Sequence, residues 1–305
     1  MIRDATRADD AGAFAVTRSA YPEFVTTEAG FRHRQVTLPP EARASAWVAE
    51  EDGRIVAWCR AFHRYEESGG SGQLNVSVVP EWRRRGIGTA LLERALAHLA
   101  DATRVFAFAG EAGRSFAASH GFELTQTMRV SAVDPRTVDT DELETTAVEL
   151  RPLVEVGPEE TFAVDSVAVM DVPADESPDQ VEYEQWLERH WRNPDFDLAA
   201  SHAARVDGRA VAITYTAADY PGARAANAFT GVLPEYRDRG LARLVKLAAI
   251  RRLAERGVTL LVTDNDERNA PMRAVNARLG FHVHSTHYVY VRESGNGFRA
   301  SAGST

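Results

Sequence analysis

Apolar and polar positions along this chain switch between two periods, and they do so twice. Apolar runs broken by Asp52-Gly53 fill 47–62 (WVAEEDGRIVAWCRAF), and runs broken by Asp207-Gly208 fill 202–217 (HAARVDGRAVAITYTA). Each is the signature of a β-hairpin with a tight turn. A strand follows in each case, LNVSVV (74–79) and AFTGVL (228–233), and then a short loop with a glycine. Beyond the loop the period lengthens. Leu91, Leu92, Ala95, Leu96 and Leu99 fall on one helical stripe, as do Leu241, Leu244, Val245, Ala248 and Leu253. Another strand comes next (VFAFAG, 105–110; TLLVTD, 259–264), then a short helix ending at Gly121 or Gly280, and a final hairpin closes each copy. The order predicts an α/β fold, a mixed, mostly antiparallel sheet flanked by helices, present twice.

The repeat is literal in places. VVPEWRRRGIGTALLERAL (78–96) aligns with VLPEYRDRGLARLVKLAAI (232–250), matching Pro80 to Pro234, Arg83 to Arg237 and Gly86 to Gly240 at one constant offset. HGF (120–122) matches LGF (279–281) further on, so the second copy carries an insertion. IRDATRADD near the start has a weaker counterpart in LRPLVEVGP (150–158). Domains at 1–138 and 147–293 are expected, joined near 134–146 by the polar, turn-rich DPRTVDTDELETT. The tail 294–305 has nothing to bury and is expected to be disordered.

Composition narrows the class. At 44% apolar and 26% charged, the 305 residues are those of a globular protein. Acids outnumber Lys and Arg by 44 to 35, a net charge of −9, which argues against nucleic-acid or anionic-membrane partners. Lysine occurs once, at Lys246, which reads as codon bias with no mechanistic weight. One cysteine, Cys59, leaves no internal disulfide and no thiolate metal cluster, and no His/Asp/Glu group has metal-ligand spacing. The start lacks a signal-peptide pattern, and no stretch reaches the ~18 apolar residues of a membrane helix. A cytoplasmic monomer or homodimer without a metal is expected.

The chemistry sits in the loops after the third strands: Arg83-Arg84-Arg85-Gly86-Ile87-Gly88 with Thr89, and Arg237-Asp238-Arg239-Gly240-Leu241-Ala242 with Arg243. A strand running through such a turn into a helix presents unpaired N–H groups and the positive end of the helix dipole together. That is a site for a phosphate or pyrophosphate. No Gly-Lys-Ser/Thr follows, and Leu91 stands where a dinucleotide fingerprint has its third glycine. The ligand is a phosphate-bearing molecule of another kind.

With the Ile2-Arg3-x-Ala5 opening, the Asp-Gly hairpins and the Gly-Phe closures, Arg-x-x-Gly-x-Gly/Ala resembles motif A of the GNAT N-acetyltransferases. TDNDERNAPMRAVNARLGF (263–281) resembles the family's motif B. Because the resemblance covers both halves, the chain looks like a tandem GNAT protein, a class that includes mycothiol synthase. It implies acetyl-CoA as co-substrate, with its pyrophosphate on the loop amides. The pantetheine arm would lie along the backbone of Val76–Val78 or of Thr230, Gly231 and Val232, with Asn269 facing it. A backbone N–H at a strand bulge would polarise the thioester carbonyl. The acceptor is expected to be a small-molecule amine; a mycothiol synthase-like enzyme and a non-catalytic acyl-CoA-binding module are the alternatives.

The chain departs from the family where many members place a tyrosine acid before the Gly-Phe closure: Ala117 and Asn276 stand there. The first copy also lacks the counterpart of Asn269, so the second is expected to be catalytic and the first a scaffold. Asn276 fits either a hydrogen-bond donor to the thiolate or a packing residue. Asp219 and Tyr220 fit either a base and acid near the cleft or an ordinary DYPG turn. Asp264 and Asn265 end a strand, and His284, His287 and Tyr288 lie on the closing hairpin. Tyr288 and Tyr220 are the tyrosines that would protonate the thiolate if a displaced one does. In the first copy His63, Glu66 and Glu67 are the titratable candidates. Cys59 reads as a buried thiol. Trp186 and Trp191, five apart, are expected to flank a helix face, as core or as walls of an acceptor pocket.

Overall fold

A computed structural model describes residues 1–65, 70–173 and 182–293. Glu66, Glu67 and the tail 294–305 lie outside the described residues. The strands are β1 (Ile2–Asp4), β2 (Ser45–Glu51), β3 (Arg54–His63), β4 (Gly72–Val78), β5 (Arg104–Gly110), β6 (Glu123–Val133), β7 (Glu149–Pro152), β8 (His202–Val206), β9 (Arg209–Asp219), β10 (Arg224–Val232), β11 (Leu260–Asp266) and β12 (His282–Glu293). The Asp-Gly hairpins, loop strands and long helices stand where they are expected, but one long strand, β6 or β12, replaces each expected final hairpin. At both hairpins the Asp and Gly of the turn have positive φ (50° and 73°; 51° and 76°), the backbone that matches strand twist.

The chain forms two compact units, and neither is a contiguous half. Met1–Pro22, Leu38–Thr127 and the stretch from His287 make the first; Glu23–Thr37 and Met128–Thr286 make the second. In the first unit, β5 pairs antiparallel with His287–Glu293 of β12. In the second, β11 pairs antiparallel with Met128–Val133 of β6. The closing strand of each unit is therefore supplied by the other repeat, which departs from boundaries at 138 and 147. The physical reason lies in the duplication itself. Alternation marks a segment as a strand and fixes which face is buried, but two similar edges leave its partner unspecified.

The strands of each unit position one long helix behind its glycine loop. In the first unit Leu91, Leu92 and Ala95 of helix Ile87–His98, with Leu99 at its C-cap, pack on Val56, Cys59, Leu74 and Val105. In the second, Leu241, Leu244 and Val245 of helix Leu241–Glu255 pack on Ile213 and Tyr215, and Leu247, Ile250 and Leu253 on Leu261 and Phe281. The predicted linker docks as well: Val138 and Leu143 join the second unit's core, and Arg251 donates to Glu144 at 2.6 Å. Residues 23–37 are held by Asp195, whose carboxylate is 3% exposed. It accepts from the Thr26 hydroxyl (2.7 Å), the Thr27 amide (2.8 Å) and hydroxyl (2.7 Å), and Arg34 (2.7 Å).

Candidate active site

In both units the strand that feeds the loop parts from its parallel neighbour. β4 pairs with β5 only over Gly72–Leu74, and β10 with β11 only over Arg224–Ala226. In the second unit the Thr263 hydroxyl donates to the Asn227 carbonyl (3.1 Å) at the apex of this splay. Beyond it, the β11-facing edge of β10 is free of ladder bonds.

The two loops have the same internal construction. Arg83 Nε donates to the Val78 carbonyl at 3.0 Å, and Arg237 Nε to the Val232 carbonyl at 3.2 Å. Arg85 donates to the Glu81 carbonyl (3.1 Å) and stacks on Trp82; Arg239 donates to the Glu235 carbonyl (2.9 Å) and stacks on Tyr236. Arg84 and Asp238 take left-handed φ values of 63° and 60°, and Gly86 and Gly240 follow at 81° and 76°. Neither helix has a side-chain cap at these glycines. The first helical bonds are Ala90 N to Gly86 O and Leu244 N to Gly240 O, so the amides before them have no partner within the helix. A Cβ on either glycine would meet nothing within 4 Å. The glycines are therefore required by φ, and the open side is where an anion has access to the amides.

The units differ at the strand. The β3–β4 register runs unbroken from Ala57–Val78 to His63–Gly72. In β10 it shifts: Asn227 faces Thr216 and Phe229 faces Tyr215, leaving Ala228 as an extra, exposed residue. This is a β-bulge, which re-aims local backbone groups away from the ladder. The bulge lies between the splay and the loop of the second unit only.

The remaining expected binding residues have the following surroundings. Val76 and Val78 pack against the first core, a Cβ on Gly88 would touch Phe116 at 3.5 Å, and Thr89 Oγ1 lies 3.3 Å from His120 Nε2. Thr230 Oγ1 bonds to Thr214 (2.8 Å) and Asn227 (3.1 Å). A Cβ on Gly231 would come within 2.6 Å of Ala168, so this glycine makes room for helix Pro158–Ala168. Arg237 also pairs with Asp171 (2.5 Å) and Arg243 with Glu142. Leu241 is buried, and Ala242 is half-buried. Asn269 caps helix Ala270–Arg278 by accepting the Met272 amide at 3.2 Å.

Each of the four expected catalytic side chains bonds to another protein group, while Asn276 Oδ1 is buried without a partner among the described residues. Asp219 and Tyr220 sit at the closed end of β9–β10, where Asp219 faces Arg224, about 20 Å along the strand from Thr230. Asp219 accepts from the Gly222 amide and pairs with Arg224, the turn reading. The Tyr220 hydroxyl donates to Asp197, and burial with that bond pushes it up to about 12. Tyr288 belongs to the first unit, where its hydroxyl donates to Glu111 at 2.7 Å and is held above the usual range. Asn276 is 3% exposed and donates to Asn265 at 2.6 Å, the packing reading.

Among the secondary candidates, His63 bonds to Asp101 (2.9 Å), His287 lies edge-on to Tyr21, and Asp264 and His284 are exposed. Burial pushes the Cys59 thiol up to about 12. Trp186 and Trp191 share a face, with ring centroids 6.2 Å apart, contrary to the flanking expectation. The cause is a π-helical turn over Leu187–Trp191, with Arg192 N bonded to Leu187 O, which brings residues five apart into line. Trp186 is core: its Nε1 donates to Asp165 (2.6 Å), whose carboxyl burial raises to about 7. Composition gave no sign of Lys246, which is fully buried beneath the bulge and donates to Asn227 Oδ1.

Comparison with known proteins gives a consistent pattern. A family model described as "Acetyltransferase (GNAT) domain" matches residues 42–124, and one described as "Acetyltransferase (GNAT) family" matches 166–281. A mycothiol acetyltransferase of Thermobifida fusca is 28% identical over 81% of this chain and 82% of its own length. One from a Nocardioides species is 29% identical over 81% and 90%. Among solved structures, a tandem GNAT protein from the clavulanic acid biosynthesis pathway superposes with a TM-score of 0.74 at 22% identity, covering 97% of this chain and 99% of that one. The last likeness concerns fold alone.

Proposed function

Because the chain belongs to the GNAT acetyltransferases, with the family's domain in tandem, we propose that it moves the acetyl group of acetyl-CoA to the amine of a small molecule, using its C-terminal copy. The observation that carries this reading is the bulge in β10 beside an uncapped, glycine-led helix. In the proposal the pyrophosphate of acetyl-CoA lies on the amides that follow Asp238 and Gly240. The pantetheine arm lies along the free edge of β10, bonding to backbone as an added strand would.

A bulge amide donates to the thioester oxygen and stabilises the oxyanion as the amine nitrogen attacks the carbonyl carbon. The C–N bond forms, the amine gives up a proton to water or a base, and the C–S bond breaks. A thiol with an ordinary pKa of about 8.5 leaves as thiolate without a strong acid, consistent with the engaged state of Asn276, Tyr220 and Tyr288. The N-terminal copy, with its regular β4, is assigned as a scaffold. The net charge of −9 suits a cationic acceptor. Among the described residues no helix is long and apolar enough to cross a membrane.

A second reading of the acceptor, a mycothiol-type amine, is favoured by relatives named mycothiol acetyltransferase that match most of the chain. Purified protein, acetyl-CoA and a panel of amines that includes desacetylated mycothiol provide the test. Amine-dependent release of free CoA thiol supports the enzyme. Tight CoA binding with no thiol released by any amine would favour a sensor.

A further inference from the structure

We propose that Lys246 is a positioning residue for acetyl transfer: through Asn227 it holds the β10 bulge in register, and so holds the amides that face the thioester. The inference rests on the reading of the bulge given above.

The argument starts from what the lysine touches. Lys246 lies on helix Leu241–Glu255 and is 2% exposed. Its Nζ donates to Asn227 Oδ1 and lies 5.4 Å from the Phe281 ring centre, and among the described residues no carboxylate pairs with it. Burying an ammonium or amine in this way is costly, and a Leu or Met of similar volume would fill the space without that cost. What the lysine supplies that they cannot is a donor aimed at Asn227.

Asn227 is the residue immediately before the extra residue of the bulge, and its amide is saturated. Oδ1 accepts from Lys246 and from Thr230 Oγ1 (3.1 Å); Nδ2 donates to Thr214 Oγ1 (2.6 Å) and the Tyr215 carbonyl (3.1 Å). Those are two acceptor positions and two hydrogens, the full capacity of the group. Its backbone carbonyl is taken by Thr263. The residue is thus tied to its own strand, to β9, to β11 and to the helix behind. The competing state is a regular ladder with no extra residue, in which every side chain beyond Asn227 would change face. The first copy supplies that comparison within the same chain: the repeat aligns Leu92 with Lys246, and β4 there is regular.

The test uses the full chain and two near-isosteric variants, Lys246→Met and Thr214→Val, the second removing one of the two bonds that Asn227 makes to β9. Calorimetry measures CoA affinity, and isotope-edited infrared spectroscopy measures the thioester carbonyl stretch of bound, carbonyl-labelled acetyl-CoA. The expected result is CoA affinity within about twofold of wild type, because the loop is untouched. The downshift of the carbonyl stretch should shrink, and kcat with a reactive amine of the panel should fall about tenfold at unchanged KM, the scale of one lost hydrogen bond. A merely structural lysine would lower stability and leave the carbonyl frequency in place. If Lys246→Met does not fold, Thr214→Val decides. A folded variant with the wild-type downshift and kcat overturns the proposal. A wild-type complex with no downshift overturns the bulge reading beneath it instead.

Discussion

Lys246 was the residue that composition dismissed, and burial gives it chemistry. With desolvation alone acting on it, its ammonium is pulled down to about 7. An unfolded lysine keeps its proton to about 10.4, so between these values the unfolded chain binds more protons. Stability attributable to this residue therefore rises with pH over that window. Urea unfolding of wild type and Lys246→Met at pH 7 and 9.5 checks it: wild type should gain on the variant at the higher pH, and a constant gap would contradict the burial argument. Sequence alone does not separate free from committed catalytic candidates, because polarity near a glycine-rich turn looks alike in both cases. Asp219 caps the turn that its own sequence signals, and Asn276 faces another asparagine. With Tyr288 bound to Glu111 and Tyr220 pushed up to about 12, no tyrosine acid should appear in catalysis. The pH profile of kcat should rise as the amine deprotonates and then stay flat to about pH 10. A falling alkaline limb abolished by Tyr288→Phe would reverse that assignment.

At the scale of elements, hairpins, loop strands and long helices were legible because local pattern decides them. Asp-Gly turns, strand alternation and the leucine stripes all fall where periodicity put them. Three features were not, each set by partners distant in sequence. The bulge depends on the buried network around Asn227, and the π turn brings Trp186 and Trp191 together against a core that no local signal describes. The docking of 23–37 depends on Asp195, far along the chain. Asp195→Ala leaves Arg34 and two threonines without their acceptor, which should cost about 3 kcal/mol. Hydrogen exchange should quicken in helix Glu28–Val36 before the rest of the second unit. Unchanged protection there would mean that apolar contacts alone hold the segment.

At the scale of the molecule, the duplication was readable and the choice of closing strands was not. Each unit draws a sheet strand from the other repeat, so fragments cut at the apparent boundary complete neither sheet. Fragments 1–138 and 147–293, expressed separately, should lack a cooperative unfolding transition; sharp independent transitions would show that each repeat closes on itself. The account's central claim is the division of labour between the copies, in which the bulged second unit performs the transfer. Its most direct test is amine-dependent release of CoA thiol by wild type, Gly86→Asp and Gly240→Asp. An aspartate at either position puts a negative side chain at the open face of the loop amides. Gly240→Asp should abolish turnover while Gly86→Asp keeps most of it, whereas turnover lost with Gly86→Asp and kept with Gly240→Asp would contradict the account.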